Sequence, residues 1–340
     1  MKTLFLKSIS SIIALTAGAN LPAAEADQTP MNEFRLGPSF GFNVTAKFLR
    51  LQGSPPATSP AAGPLVDRNY PDGYVHVDSS GNSGNQTWNW GYQNNAQYNA
   101  TASTINMHNL SVNKESSPAA SDDPNYGFEL SYLRRLVDCG PGYFSVELAF
   151  GYNRLEVTDN SSHPVSATVT TDSFPLGAVI PPFAPYGGTF SGPGALLGAT
   201  PTRATSLASG SISGSRSTDA DIYCFRLGPV FTLPAGKKVH LELATGLAVA
   251  VVDNQFRYSE TLTVSGISET RSGSGGGTDA IFGPYVRGAI SYALSPSWRV
   301  FAGVQYQPMT DTVNQSAGGS AVELDFSQAI YATTGLSFTF

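Results

Sequence analysis

Alternation of apolar and polar positions dominates this chain and recurs in eight segments. Successive side chains of a strand point to opposite faces, so each segment predicts a strand with one greasy and one wet face. The first spans 34–48, with Phe34, Leu36, Phe40, Phe42, Val44, Ala46 and Phe48 on one parity. Arg35, Ser39, Asn43, Thr45 and Lys47 hold the other. Six more follow at 126–136, 143–154, 221–233, 238–252, 280–292 and 298–308. The eighth runs to the last residue, with Leu324, Phe326, Ile330, Leu336, Phe338 and Phe340 opposing Glu323, Asp325, Ser327, Ser337 and Thr339.

A soluble β-sandwich alternates in the same way, so the connections decide. Residues 49–125, 158–220, 253–277 and 309–321 are long excursions, whereas 137–142, 234–237 and 293–296 are tight turns. Long and short strictly alternate. A sandwich prefers short connections throughout. A closed transmembrane barrel keeps its long loops at the outer mouth and its short turns on the periplasmic side. The expectation is an all-β, antiparallel transmembrane β-barrel of about eight strands. Ten to twelve follow if 103–112 and the region of Tyr258 join; alternatively, 257–269 extends strands five and six above the membrane. The stretch 164–217, rich in Gly, Pro, Ser and Thr, reads as flexible loop.

Three Gly-Pro pairs, Gly37-Pro38, Gly228-Pro229 and Gly283-Pro284, fall inside predicted strands. Proline cannot donate to a ladder and a closed ring offers no free edge, so bulges or bends are expected there. The repeat Phe-Arg-Leu-Gly-Pro at 34–38 and 225–229 lies on strands of opposite direction and reads as coincidence.

The two ends add addresses. Residues 1–26 carry Lys2 and Lys7, a short apolar run at 12–19 and the small-residue exit Ala24-Glu25-Ala26. That order is the layout of a secretory signal peptide, placing the mature start near Asp27, with Ala24 the alternative cleavage site. The mature unit is then one domain, 27–340, with large loops at about 50–124 and 157–220. At the other end, an alternating strand that stops on Phe340 resembles the terminal strand of bacterial outer-membrane β-barrels. The small OmpA/OmpX-type families share the general pattern. The resemblance implies residence in the outer membrane, contact with its lipid, and recognition of the Phe340 strand by the barrel-assembly machinery.

Aromatics bunch at the strand ends. Phe34, Tyr132, Phe144, Phe231, Tyr292, Trp298, Phe338 and Phe340 would form a periplasmic girdle. Phe48, Tyr126, Phe128, Tyr152, Tyr223, Phe282, Tyr306 and Phe326 would form an outer one. Composition sharpens this. With 19 Phe and 15 Tyr the chain has too much apolar surface for disorder, yet after residue 26 no run is long enough for a helical span. A net charge of −6 without a basic patch argues against nucleic acid. Cys139 and Cys224 fall toward opposite barrel ends and read as free thiols.

The inward parity collects Arg35, Lys47, Glu129, Glu147, Arg226, His240, Glu242, Arg287, Arg299, Glu323 and Asp325. An isolated buried charge is very costly, so these must pair. Arg35, Arg226, Arg287 and Arg299 would pair with Glu129, Glu147, Glu242 and Asp325 in a plug; a gated ion path is the competing reading. His76, His108, His163 and His240 are the histidines, and no Ser–His–carboxylate set is legible among them. No catalytic, cofactor or metal residues are assigned. Trp88, Trp90 and Tyr92 share parity and offer a ligand platform in loop 50–124, or packing against Val75, Val77 or Ile105. The functional expectation is a structural, adhesive or protective surface role, with a narrow pore for small solutes as the alternative.

Overall fold

The computed structural model describes residues 31–52, 65–112 and 116–340. The proposed export segment 1–26 lies outside them. The principal strands are β1 (Asn32–Phe42), β2 (Thr45–Leu49), β3 (Thr104–Val112), β4 (Ala120–Ser121), β5 (Asn125–Cys139), β6 (Gly142–Asp159) and β7 (His163–Pro175). They continue with β8 (Thr202–Pro234), β9 (Val239–Val264), β10 (Ile267–Ala293), β11 (Trp298–Tyr306), β12 (Val313–Ala317), β13 (Ser320–Asp325) and β14 (Ile330–Thr339).

Eight of these close on themselves. Antiparallel pairing runs β1–β5–β6–β8–β9–β10–β11–β14 and returns to β1, so the ring has no edge. The predicted tight turns close β5–β6, β8–β9 and β10–β11 at one end. At the other end β6, β8, β9 and β10 run far past the ring. β9 and β10 meet in a two-residue turn at Ser265 and Gly266, both at positive φ. The excursion 253–277 is therefore one long hairpin, in keeping with the extension reading for 257–269.

The remaining four ring strands break at the same height and continue in a second sheet of order β12–β13–β2–β4. This repeats the order β11–β14–β1–β5 below it, because β1 leads into β2, β4 into β5, β11 into β12 and β13 into β14. Three of the breaks turn the side chains over, whereas between β11 and β12 the odd-numbered residues Phe301, Gln305 and Val313 stay buried throughout. Asn43 takes a left-handed φ of 61°, and beyond it Val44, Ala46 and Phe48 are buried while Lys47 is exposed. The same happens between Phe326 and Ile330: Leu324 and Phe326 are interior, Leu336 and Phe338 exterior. Phe48 and Phe326 are thus core residues and not outer-girdle residues, and Lys47 does not face the interior.

The stretch read as flexible loop is largely sheet. β7 pairs with β8 from His163↔Ile212 to Ser173↔Thr202 and with β3 on its far side. Strand 104–112 thus stands outside the ring, which stays at eight strands. Along β3, side chains occupy polar groups at the sheet margin: Gln97 reaches the carbonyl of Asn106, Asp72 the amide of His108, and Arg271 the carbonyl of Leu110.

The Gly-Pro pairs are not bulges. Leu36↔Leu336 and Ser39↔Thr333 flank Gly37-Pro38 in one register, as Leu227↔Leu247 and Val230↔Ala244 flank Gly228-Pro229. Rungs are missing but no residue is inserted. The proline lacks a donor, and its glycine faces a glycine across the gap: a Cβ on Gly37 or Gly335 would collide with the carbonyl of Thr334 or Leu36. Gly228 and Gly246 meet the same way. Gly283-Pro284 keeps its pairing to β9 and lies past the last rung to β11. The one register shift on β5 and β6 falls between Arg135 and Val137.

Candidate functional site: a sealed interior and a polarity boundary

The inward face of the ring begins with charge. Arg35 grips both oxygens of Glu242 at 2.6 and 2.7 Å and reaches Glu33 at 2.6 Å. Arg226 meets Glu129 at 2.7 Å, and Arg287 bridges Glu147 at 2.7 Å and Glu129 at 3.4 Å. Arg299 sits 3.4 Å from Glu33. Four arginines thus face four glutamates, all of them buried or nearly so. Tyr285 and Ser291 add hydroxyl contacts to Glu147 and Glu242.

Reading the sequence anticipated this cluster, with two corrections. Glu33, one residue before the first predicted strand, is the partner that was missed. Asp325 takes no part: it accepts from the amide of Ser327 in the upper sheet, and Glu323 lies there too. Both fall beyond the strand break that turns the face over. Cys224 is buried beside Gln307, whereas Cys139 is exposed at the short-turn end, and both thiols are free.

Above the charges the interior becomes apolar. Leu155, Val157, Ile222, Val252, Phe256 and Leu262 from the long strands pack against Val44, Phe48, Val313, Val322, Leu324 and Phe326 from the second sheet. The outward face changes oppositely and on one ladder row. On β9, Leu241, Leu243, Leu247 and Val249 are exposed, and the same parity continues as Asp253, Gln255, Arg257 and Ser259. Asp253 lies in register with Asp221 and Thr278, and Asp221 with Arg154. One rung below are Tyr152, Tyr223, Val251 and Ala280. Tyr152 reaches up from its apolar row to Asp221 at 2.7 Å.

Below that row the exposed belt is apolar. From Leu241 to Val251 it spans roughly 25 Å of height for a strand tilted by about 40°. Rings gather at its lower rim, where Phe34 contacts Tyr132 and Phe340, and Trp298 contacts Phe338. Upper contacts join Phe128, Tyr152 and Tyr223.

The outer layer holds the remaining candidates. Ser161, His163 and Asp159 do come together, a set that sequence spacing did not reveal. One nitrogen, Nε2 of His163, lies 3.0 Å from both the Ser161 hydroxyl and the Asp159 carboxylate. A relay needs the two ring nitrogens to face different partners, so this is a shared hydrogen bond and not a triad. Arg216, fully buried, ties Asp159 to Glu260 at 2.8 and 2.7 Å. Burial raises the Asp159 pKa, but hydrogen bonds from Ser161, His163 and Arg216 outweigh it and hold the carboxyl well below the usual range.

Of the two expectations for the aromatic segment, packing against Val75 and Ile105 holds and the ligand platform does not. Trp90 and Tyr92 are buried and stack against each other, with Val75, Ile105 and Phe174 in the same cluster. Trp88 is half-buried and donates its indole N–H to the Phe190 carbonyl at 3.2 Å. Beneath this cluster, Asp172 accepts from Tyr70 and Arg203, each at 2.7 Å.

A closed ring with an apolar outer belt and an ion-paired interior defines a β-barrel of the outer-membrane class. No family model matches the chain, and no curated protein matches its sequence. Among solved structures it is similar to Ail, the attachment invasion locus protein of Yersinia pestis, seen with the heparin analogue sucrose octasulfate. Identity there is 9% and TM-score 0.28, covering 90% of this chain and 99% of that one. It is similar also to the outer membrane protein OprG of Pseudomonas aeruginosa, at 10% identity, TM-score 0.34, and 92% and 97% coverage. A third is the outer membrane protease OmpT of Escherichia coli, at 11% identity, TM-score 0.31, and 94% and 99% coverage. At these scores the likeness adds nothing to the geometry, which carries the reading alone.

Proposed function

We propose that this protein is an anchor: an eight-stranded barrel embedded in the outer membrane that holds a tall outer β-layer in an adhesive or protective surface role. The observation that carries the reading is the inversion at the Arg154–Asp221–Asp253–Thr278 row, apolar outside below it and apolar inside above it. A strand that changes solvent at one height calls for lipid below and water above. In this reading residues 1–26 direct export, the mature chain starts near Asp27, and the Phe340 strand engages the assembly machinery. The long excursions face outward and the short turns face the periplasm, with any extracellular ligand met by the outer layer.

A pore is the weaker reading, because paired charges fill the lower interior and an apolar core closes the upper one. We assign no catalytic role. The natural thiol supplies the test. Cys139 is exposed at the short-turn end, so an impermeant maleimide should spare it on intact cells and label it once the outer membrane is opened. A cysteine placed at Ser265 should label on intact cells. Reversed labelling would overturn the orientation, and steady single-channel conductance of the purified protein would overturn the anchor in favour of the pore.

A further inference from the structure

The apolar residues of the belt have lipid to face; two others, Ile180 and Phe183, do not. Their relative exposures of 85% and 90% exceed those of the exposed belt residues. Their place follows from register. β8 runs from the boundary row at Asp221 out to Thr202, which is up to roughly 60 Å of strand. β7 climbs beside it to Pro175, and the connection 176–201 lies at that far end.

Residues 173–202 carry no charge, and the bracketing residues Asp172 and Arg203 neutralise each other at 2.7 Å. The tip is also held in shape. Tyr186 pairs with Tyr92, the Tyr92 hydroxyl donates to the Pro182 carbonyl, and the Ala184 amide donates to Asn95 Oδ1 at 2.8 Å. Pro181, Pro182 and Pro185 have no amide hydrogen at all.

That last feature separates the partners such a tip would suit. A protein groove that reads backbone needs donors, and three are missing while the Ala184 donor is occupied. A lipid interface suits an uncharged, donor-poor segment: at shallow depth the remaining amides of Ile180 and Phe183 keep water while the side chains enter the apolar region. We propose that the Ile180–Phe183 tip inserts shallowly into an opposing lipid surface, through apolar contact and without electrostatic attraction. The inference rests on the anchor reading, which places this tip far from the protein's own membrane.

The full mature chain is reconstituted in nanodiscs, and heat-modifiable migration on gels first establishes that the barrel has inserted. Failure at this step would count against the anchor reading itself. Inserted protein is then floated with protein-free phosphatidylcholine liposomes. Co-flotation is expected, unchanged in 1 M salt, and lost in the Ile180→Asp/Phe183→Asp variant. Leu207→Asp, also exposed in the outer layer but away from the tip, should float as wild type does. The inference is overturned if wild-type nanodiscs stay at the bottom, if the double variant still floats, or if salt abolishes binding.

Discussion

The lower ring and the upper layer are built from the same alternating strands, yet they are opposites. In the ring, Leu243 and Leu247 point out and Glu242 points in; farther along the same β9 strand, Gln255 and Arg257 point out and Phe256 points in. Backbone geometry is continuous across the change. What differs is the solvent each face must satisfy. Alternation therefore reports that a strand has two environments, and only the neighbouring strands and the medium say which face is which.

The largest expected effect lies in the ring interior. Arg287 neutralises Glu147 and Glu129 together, so Arg287→Ala leaves two buried carboxylates short of a partner. A loss of about 3–5 kcal/mol is expected, the scale for breaking a fully buried pair. Urea unfolding in lipid vesicles measures it. A stable variant that conducts ions with altered selectivity would mean the arginine is solvated and the interior is open.

Next in size is a pair of substitutions on one parity of β9, either side of the boundary. Val249→Arg, on the belt, should cost about 2–4 kcal/mol if it sits near the bilayer midplane. Gln255→Arg, on the same face above the row, should change stability by less than about 0.5 kcal/mol, as exposed surface substitutions do. Equal costs at the two positions would erase the boundary. Removing Phe340 belongs to the same region: it stacks on Phe34 and Phe338 at the lower rim, and truncation should reduce assembled protein on quantitative blots without reducing synthesis.

How far the sequence reaches can be judged on particular residues. The eight ring strands, the turns, the lower girdle and most of the ion-paired plug were legible, because an apolar outward belt and a charged inward face give strong contrast. The segment 34–48 misled for a physical reason. Its apolar parity runs unbroken through Asn43, but the left-handed residue turns β2 over, so Phe34 faces out and Phe48 faces in. Length was the available warning, since a tilted spanning strand needs only about 9–11 residues. The stretch 164–217 hid two strands because Ser, Thr, Ala and Gly on both faces give almost no contrast. The Trp88–Tyr92 segment has contrast, and its packing with Val75 and Ile105 was among the expectations; Phe174, remote in sequence, was not.

The smallest of the predicted losses returns to the comparison through pH. Burial alone would raise the pKa of Asp172, but hydrogen bonds from Arg203 and Tyr70 outweigh it, and the carboxyl titrates below its ordinary value of 3.8. A depressed folded pKa adds stability above the ordinary value, and that share is lost as pH falls from there through the folded pKa. From neutral pH down to about 5 the outer layer should therefore keep this contribution, and below about 4 it should begin to lose it. Asp172→Asn removes the charge-assisted bonds and should cost about 1–2 kcal/mol at neutral pH, with the cost shrinking under acid. Hydrogen exchange at the amides of β3 and β7 reads this locally, because Asp172 lies on β7 in register with Met107 of β3. Exchange at β9 between Leu241 and Val249 should not move, since no ring strand in that span touches the aspartate. If ring and outer layer loosened together in the variant, the two regions would share one cooperative unit, and their contrast would be one of polarity alone.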